Sequence, residues 1–418
     1  MNMSKNVIVI GGGIIGLSTA YYLQKEGHQV TVIDKSDFTT GASYVNAGYI
    51  TPSHIVSLAS PGIITQGIKW MFNSSSPFYV KPRLDIDFLK WTWAFKKSAN
   101  AQKVASSIPV IRDINLFSRD LFEEIKTSND FNFHYEHKGL MMYYQSDKVG
   151  EHEWELGEKA LKAGLHAEHL TTMESIRKYE PNVDLNVKGA VYFDCDAHMT
   201  PSDFMPEMVT YLKSKGVTIF ANEEVIDIDV RNQEILEVKT NKTTYKADEF
   251  VLAAGSWSPL LAKKLGLKIP IQAGKGYRIN VDRETNITMP SILCEAKVAV
   301  TPMTGFTRFA GTMEIAGINH NINPLRVEAI AKAAESFYNN LEIHQSEKDS
   351  AECGLRPCSP DGLPYIGKSS KCKNLIVAAG HAMMGWSLGP ATGKLVAEII
   401  SNKKTSLDLN PFHPDRKF

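Results

Sequence analysis

The sequence has no stretch of about 20 apolar residues, so no transmembrane helix is expected. It has no CxxC pair, and its five cysteines (Cys195, Cys294, Cys353, Cys358 and Cys372) are scattered, apart from one C-x4-C pair. No histidine pair at zinc-finger spacing accompanies them. Free thiols in a reducing compartment are expected, and no metal. An excess of one charge is missing as well. Lys plus Arg and Asp plus Glu number 46 each, and no long basic run occurs, so nucleic acid is not an expected partner. The apolar start Val7, Ile8, Val9, Ile10 is too short for a signal h-region and runs straight into glycines. A cytoplasmic protein is expected. No internal repeat or low-complexity segment is visible.

What is present is an ordinary globular composition, 43% hydrophobic and 22% charged over 418 residues, enough for a sizeable core and two or three domains. Residues 6–33 form a βαβ pattern. A β-branched run at 6–10 predicts a buried strand, 14–26 a helix closed by Gly27, and 30–33 a second strand. Between about 52 and 186 this rhythm is lost. Trp70, Phe72, Phe78, Tyr79, Phe88, Trp91, Trp93 and Phe95 cluster there, followed by a helix expected from Pro109 to about 126, a strand at 140–144 and a helix at 147–163. The rhythm returns with a helix at 201–215 and strands near 217–220, 225–230 and 249–253. Residues 269–345 suggest strands at 277–281, 297–300 and 309–311 with a helix at 324–340. A last helix is expected at 390–400. The fold class is therefore α/β (α+β overall). A Rossmann-like dinucleotide-binding domain (1–53, 187–268 and 349–418) is expected beside a mostly antiparallel-sheet substrate domain (54–186 and 269–348).

The strongest motif is Gly11-Gly12-Gly13-Ile14-Ile15-Gly16, a G-x-G-x-x-G between strand and helix. Gly11 permits the tight turn, Gly13 lets the backbone approach a pyrophosphate, and Gly16 lets helix and sheet pack closely. The helix N-terminus then offers free N–H groups and partial positive charge to the phosphates. Asp34 ends the second strand, where a carboxylate can accept the ribose hydroxyls and disfavours a 2′-phosphate. A glycine-rich turn without ligand is the bland alternative; strand, glycines, helix, strand and acid in order argue against it. Three further stretches favour FAD over NAD: the small, hydroxylated Thr39-Thr40-Gly41-Ala42-Ser43, Leu252-Ala253-Ala254-Gly255-Ser256-Trp257, and Ala378 to Trp386, which leads into the last helix.

On these residues the chain resembles the FAD-dependent D-amino-acid oxidase/glycine oxidase superfamily, over nearly its whole length. The resemblance also rests on Gly354-Leu355-Arg356-Pro357-x-x-x-Asp361-Gly362-x-Pro364-x-Ile366-Gly367. Ser43 through Pro52, the run 67–72, Lys275-Gly276-Tyr277 and Gly385-Trp386 point to its bacterial D-amino-acid dehydrogenase branch.

The resemblance implies a catalytic role for Arg356 as the bidentate clamp of the substrate carboxylate; a structural salt bridge is the competing reading. It implies FAD contacts at Gly11, Gly13, Ile14, Ile15, Gly16, Asp34, Lys35, Gly41, Ala42, Ser43, Gly48, Val225, Ala254, Gly255, Trp257, Gly354, Gly380, His381, Met384, Gly385, Trp386 and Ser387. Glycine oxidases carry a carboxylate-binding tyrosine on the strand matching 297–300. This chain has Val298, Ala299 and Val300 there, so Tyr277 or His54 is expected to supply the second contact, with Trp386 also lining the substrate. Sarcosine oxidases tether FAD through a cysteine at the position matching Gly354, so the FAD is expected to be noncovalent. His198 and His381 are candidate pocket groups, with a structural histidine as the competing reading.

The implied reaction is oxidative deamination of a small D-amino acid. Hydride passes from Cα to flavin N5, the imino acid is hydrolysed, and electrons go to a quinone or another acceptor. Alternatives are a D-proline or D-4-hydroxyproline (cyclic imino acid) dehydrogenase, a glycine/sarcosine-type oxidase producing peroxide, and a noncatalytic FAD-binding subunit. The aromatic segment from Trp70 to Phe95, with Lys90, Lys96 and Lys97, has two readings: a domain core, or a peripheral contact with the inner face of the cell membrane.

Overall fold

The computed structural model describes residues 4–62 and 76–418. The 67–72 run, with Trp70 and Phe72, lies outside the described residues.

The expected βαβ unit is present: strand Asn6–Ile10, helix Ile14–Lys25, strand Gln29–Ile33. Val7 to Ile10 are buried on both faces, as a central parallel strand requires. The six-stranded sheet runs Thr218–Phe220, Gln29–Ile33, Asn6–Ile10, Glu249–Leu252, Cys372–Ala379, Tyr365–Ser369. Its first five strands are parallel, and only the last pair is antiparallel. The helix Gly389–Ile400 lies against the first helix at very close range. A Cβ on Gly393 would come within 2.4 Å of the Ser18 backbone, so only glycine fits there.

A second sheet collects the mostly antiparallel strands. Its path runs Glu352–Cys358, Gln272–Val281, Phe306–Ile315, Val298–Met303, Ser291–Leu293, Leu140–Tyr144, Gly189–Phe193, Glu168–Leu170, with Phe78–Val80 added beside Phe306–Ile315. Gly189–Phe193 and Glu352–Cys358, on segments assigned above to the dinucleotide-binding domain, pair in this sheet. The strand expected at 225–230 joins neither; Val225–Arg231 forms a small sheet with Glu234–Thr240 and Thr244–Tyr245.

Two helical expectations need correction. Pro109 does not start a helix: it lies inside Ala101–Thr127, whose N-cap is Asn100, its side chain accepting from Lys103 N at 2.9 Å. The aromatic segment contains a helix, Ile86–Ser98, opened by Asp85. Phe88, Trp91 and Phe95 recur at helical spacing and are buried, so this part of the segment is core. Trp91 Nε1 donates to the Cys358 carbonyl at 2.9 Å, which fastens the helix to the end of the Arg356 strand.

Candidate active site

The glycine turn is built for close approach. Gly11 has φ +112°, and a Cβ there would lie 2.4 Å from the Ala253 carbonyl; one on Gly16 would lie 1.8 Å from the Gly11 carbonyl. The first helix has no acidic residue in its first turn and no side-chain cap on Gly13. Ser43 Oγ accepts from Ile14 N at 2.9 Å, bringing the 39–43 stretch over the helix N-terminus. No Cβ neighbour stands within 4 Å at Gly41, φ +99°, so the backbone there faces open space. Asp34 accepts from Gly12 N at 2.5 Å and from Ser36 N at 2.7 Å, which holds its carboxylate at the turn. Asn222 N and Glu223 N donate to Ser36 and Asp34 carbonyls, placing the chain leading to Val225 beside that acid. Lys35 Nζ lies 3.5 Å over the Trp257 ring. Tight glycines, a helix end with no acid in its first turn and a positioned acid fit the ADP half of FAD.

The strand Glu352–Cys358 is where the three stretches expected to line FAD meet. The helix Ala42–Val45, the turn Gly255–Trp257 and the turn Ala382–Met384 all lie against it. A Cβ on Gly354 would come within 2.4 Å of Val45 Cγ2, and Ser256 Oγ donates to the Leu355 carbonyl at 3.1 Å. Gly48, φ +71°, turns the chain past the Met199 carbonyl, 2.2 Å from where its Cβ would be.

Arg356 pairs with Gly274 across the ladder, and opposed residues share a face. Gly276 lies on that face too. The register with Phe306–Ile315 jumps from Lys275↔Glu314 to Tyr277↔Gly311, a bulge that leaves Thr312 at φ +70°. The Thr312 carbonyl accepts from Arg356 Nη1 at 2.8 Å. Among the described residues no carboxylate pairs with Arg356, so the salt-bridge reading fails. Burial pushes its pKa below the ordinary arginine value. A half-buried cation with one carbonyl partner is a seat for an anion.

Tyr277 does not share that seat. It pairs with Cys353 on the opposite face, and its hydroxyl donates to Glu314 Oε2 at 2.8 Å in a cluster with Lys275 (3.3 Å) and Arg326 (3.2 Å). Sheet alternation decides this. His54 meets Ser53 Oγ at 3.1 Å; Ser53 N donates to Asp196 Oδ1 at 2.9 Å, and no hydrogen bond links His54 to Arg356. Burial, with Lys297 next, pushes its pKa down to about 4, so it is neutral at pH 7 and carries no charge for a carboxylate. Trp386 packs in the core against Phe204 at 6.0 Å, and its Nε1 has no hydrogen-bond partner among the described residues. Ser387 Oγ donates to Asn115 Oδ1 and accepts from Thr51 N.

His381 is buried, and its Nε2 lies 2.9 Å from Thr392 Oγ1; burial pushes its pKa down to about 3, as for a structural histidine. A Cβ on Gly380 would crowd Tyr365 at 2.7 Å, so this glycine is also a packing position, whereas one on Gly385 would make only ordinary contact with His381 Cβ at 3.4 Å. Ala254 adjoins the 255–257 turn, and Met384 ends the 382–384 turn.

Two arginines escaped the sequence reading. Arg308, buried on the Arg356 face, donates to the Tyr44 and Asn46 carbonyls at 2.8 and 2.7 Å. Burial, with Arg278 next, pushes its pKa down to about 9. Arg416 grips Asp361 through Nε and Nη2 at 2.8 and 2.9 Å, fixing the loop after Arg356. Neither arginine sits in a recognisable motif.

Comparison with known proteins agrees with this geometry. Residues 6–399 match the family model described as "FAD dependent oxidoreductase" (DAO). The chain is 32% identical over 402 residues to a D-amino acid dehydrogenase of Helicobacter pylori, covering 95% of each chain. To a D-amino acid dehydrogenase of Vibrio atlanticus it is 30% identical over 410 residues, covering 96% of this chain and 97% of the other. Glycine oxidase from Geobacillus kaustophilus shares the fold with TM-score 0.78 at 22% identity, over 99% of both chains. L-proline dehydrogenase from P. horikoshii does so with TM-score 0.71 at 22% identity, over 99% of this chain and 98% of the other.

Proposed function

Because the chain belongs to the DAO family of FAD-dependent oxidoreductases, we propose that it oxidises D-amino acids and hands the electrons to an acceptor other than oxygen. The relatives' names support both the D-amino acid and the dehydrogenase halves of this reading. One observation carries it in the chain itself. Arg356 offers a guanidinium without a carboxylate partner on a strand met by all three cofactor stretches.

FAD, when bound, supplies the two-electron acceptor that takes hydride from the substrate Cα. The chain's own part is placement. Arg356 binds the substrate carboxylate by two parallel N–H bonds and so fixes Cα relative to the cofactor. Thr312 holds the guanidinium in plane, and the missing side chain of Gly276 leaves room for it. Loss of hydride and a proton turns the amine into an imine. Water then releases ammonia and a 2-oxo acid, with no protein nucleophile required.

A quinone in a membrane is the acceptor we favour. The outer face of the helix Ile86–Ser98 exposes Ile86 (68%), Leu89 (52%) and Trp93 (61%), preceded by a fully exposed Leu84. Lys90, Lys96 and Lys97 flank them, with Lys97 Nζ 3.6 Å over the Trp93 ring. Apolar side chains ringed by lysines suit the surface of an anionic bilayer. The same helix is fastened at Cys358, so such a contact would lie close to the substrate seat. Among the described residues no helix is long and apolar enough to cross a membrane.

The test is anaerobic mixing of the yellow protein with a panel of D- and L-amino acids, including both prolines and glycine. Flavin bleaching by D-amino acids, with fast reoxidation by a quinone analogue and slow peroxide formation in air, is the expected result. No bleaching by any amine would end the amino-acid reading, and rapid stoichiometric peroxide would replace the quinone with oxygen.

A further inference from the structure

A second constellation lies on the three-stranded sheet of Tyr49–Ile50, Ala197–Met199 and Tyr135–Glu136. Glu136 and His198 are directly opposed in the antiparallel pairing of Tyr135–Glu136 with Ala197–Met199, so their side chains share a face. His134, two residues before Glu136, returns to that face. The three donor atoms lie within 4.8 Å of one another. His198 Nε2 is 3.6 Å from Glu136 Oε2, and His134 Nε2 is 3.8 Å from Glu136 Oε1.

The decisive residue is His198. Its side chain is wholly buried, yet neither ring nitrogen has a hydrogen-bond partner. Buried polar groups are rarely left this way, and an absent ligand is one of the few good reasons. His134 adds a second sign. Its Nδ1 lies 2.9 Å from Thr200 Oγ1, which orients the ring and leaves Nε2 for the cluster, as in the outer shell of metal-binding histidines.

We propose that His134, Glu136 and His198 bind one divalent first-row transition ion, of which Zn2+ is the test case. Two imidazoles and a carboxylate, with water completing the tetrahedron, are ordinary ligands for such an ion. Bonds of about 2.0–2.1 Å require donors roughly 3.3 Å apart, so the present spacing needs only a modest closure. Glu136 also meets Lys138 Nζ at 2.7 Å. That ammonium is half exposed and occupies the carboxylate in place of an ion; binding displaces it toward solvent. The ion would brace a three-stranded sheet, because Ala197–Met199 also pairs with Tyr49–Ile50, just after Gly48. The inference does not depend on the flavin chemistry.

The experiment uses FAD-loaded protein, stripped with EDTA and titrated with ZnCl2 by calorimetry in a non-chelating buffer. One Zn2+ per chain is expected, with Kd on the order of 1 µM or tighter and a rise in Tm on binding. His134→Gln and Glu136→Gln, both at partly exposed positions, should weaken binding about tenfold or more while keeping the yellow spectrum. Lys138→Ala should tighten it, since a competing cation is gone. A wild-type Kd weaker than about 10 µM, or a His134→Gln affinity within about threefold of wild type, overturns the site.

Discussion

Gly276 and Arg356 occupy one space: a Cβ on Gly276 would sit 2.2 Å from Arg356 Nη1 and 2.4 Å from Nη2. The strand gives up a side chain so that the guanidinium can lie flat against it. Gly276→Ala should therefore displace the arginine without touching the cofactor turn. We expect full flavin absorbance, a raised KM and kcat/KM down by about 10- to 100-fold, the range for a displaced positioning group. Steady-state kinetics with a dye acceptor checks this; unchanged kinetics would mean the guanidinium does not hold substrate.

Arg356→Lys and Arg356→Ala probe the clamp itself. Lysine keeps the charge but loses the planar fork. Losing the partner of a buried charged pair costs about 2–5 kcal/mol, so Arg356→Ala should lower kcat/KM roughly 30- to several-thousand-fold. Lysine should recover only part of that loss. Flavin content, read from the visible spectrum, should remain at wild-type level in both.

Gly11→Ala addresses the cofactor turn alone. The residue is held at φ +112° against the Ala253 carbonyl, so alanine is both strained and too large. The variant should purify colourless and fail to bleach or turn over, while its far-ultraviolet circular dichroism stays close to wild type. Yellow protein with normal FAD affinity would show that the turn tolerates a side chain.

Asp196 makes stability fall with rising pH. Its carboxyl is buried, and burial raises its pKa to about 7 despite the Ser53 hydrogen bonds. The folded state thus holds a proton that the unfolded state, with an ordinary pKa near 3.8, has released. This contribution is fully present below about pH 4 and disappears as pH climbs through 7. Asp196→Asn should flatten the decline in Tm between pH 5 and 8. Buried His381 acts in the opposite sense: its depressed pKa contributes stability above about 6.5 that is lost as acid approaches 3. A variant curve parallel to wild type from pH 5 to 8 would remove Asp196 from this role.

Trp93→Asp combined with Leu89→Asp tests the membrane-facing surface. Both side chains point away from the buried Phe88, Trp91 and Phe95. Sedimentation with vesicles rich in anionic lipid should drop severalfold, and dye-linked turnover should not change. Equal sedimentation of variant and parent would leave that face without a bilayer partner.

The dinucleotide half was legible because its constraints are local. Gly11, Gly13, Gly16 and Asp34 fall at fixed offsets along one strand, turn, helix and strand, and each offset has a steric reason. The stretches around Gly41, Gly255 and Gly380 are gathered by the fold at the Arg356 strand. Tyr277 was expected to stand in for the tyrosine absent from 297–300, but sheet alternation puts it on the face opposite Arg356. The helix at 86–98 was missed because its apolar residues on two sides, one buried and one exposed, blur the period. Pro109 misled because a proline is favoured at a helix start, and only Asn100 reveals the true cap. Arg308 and Arg416 left no motif to follow, since their partners are backbone carbonyls and a carboxylate remote in the chain.

An arginine left without a counter-ion by its own chain must borrow one from the medium. The 2-oxo acid of the proposed reaction keeps the carboxylate of the amino acid, so product would compete for the same berth. Acetate or benzoate in a buffer would do likewise. With Arg356 in the role proposed for it, turnover would slow wherever keto acid accumulates.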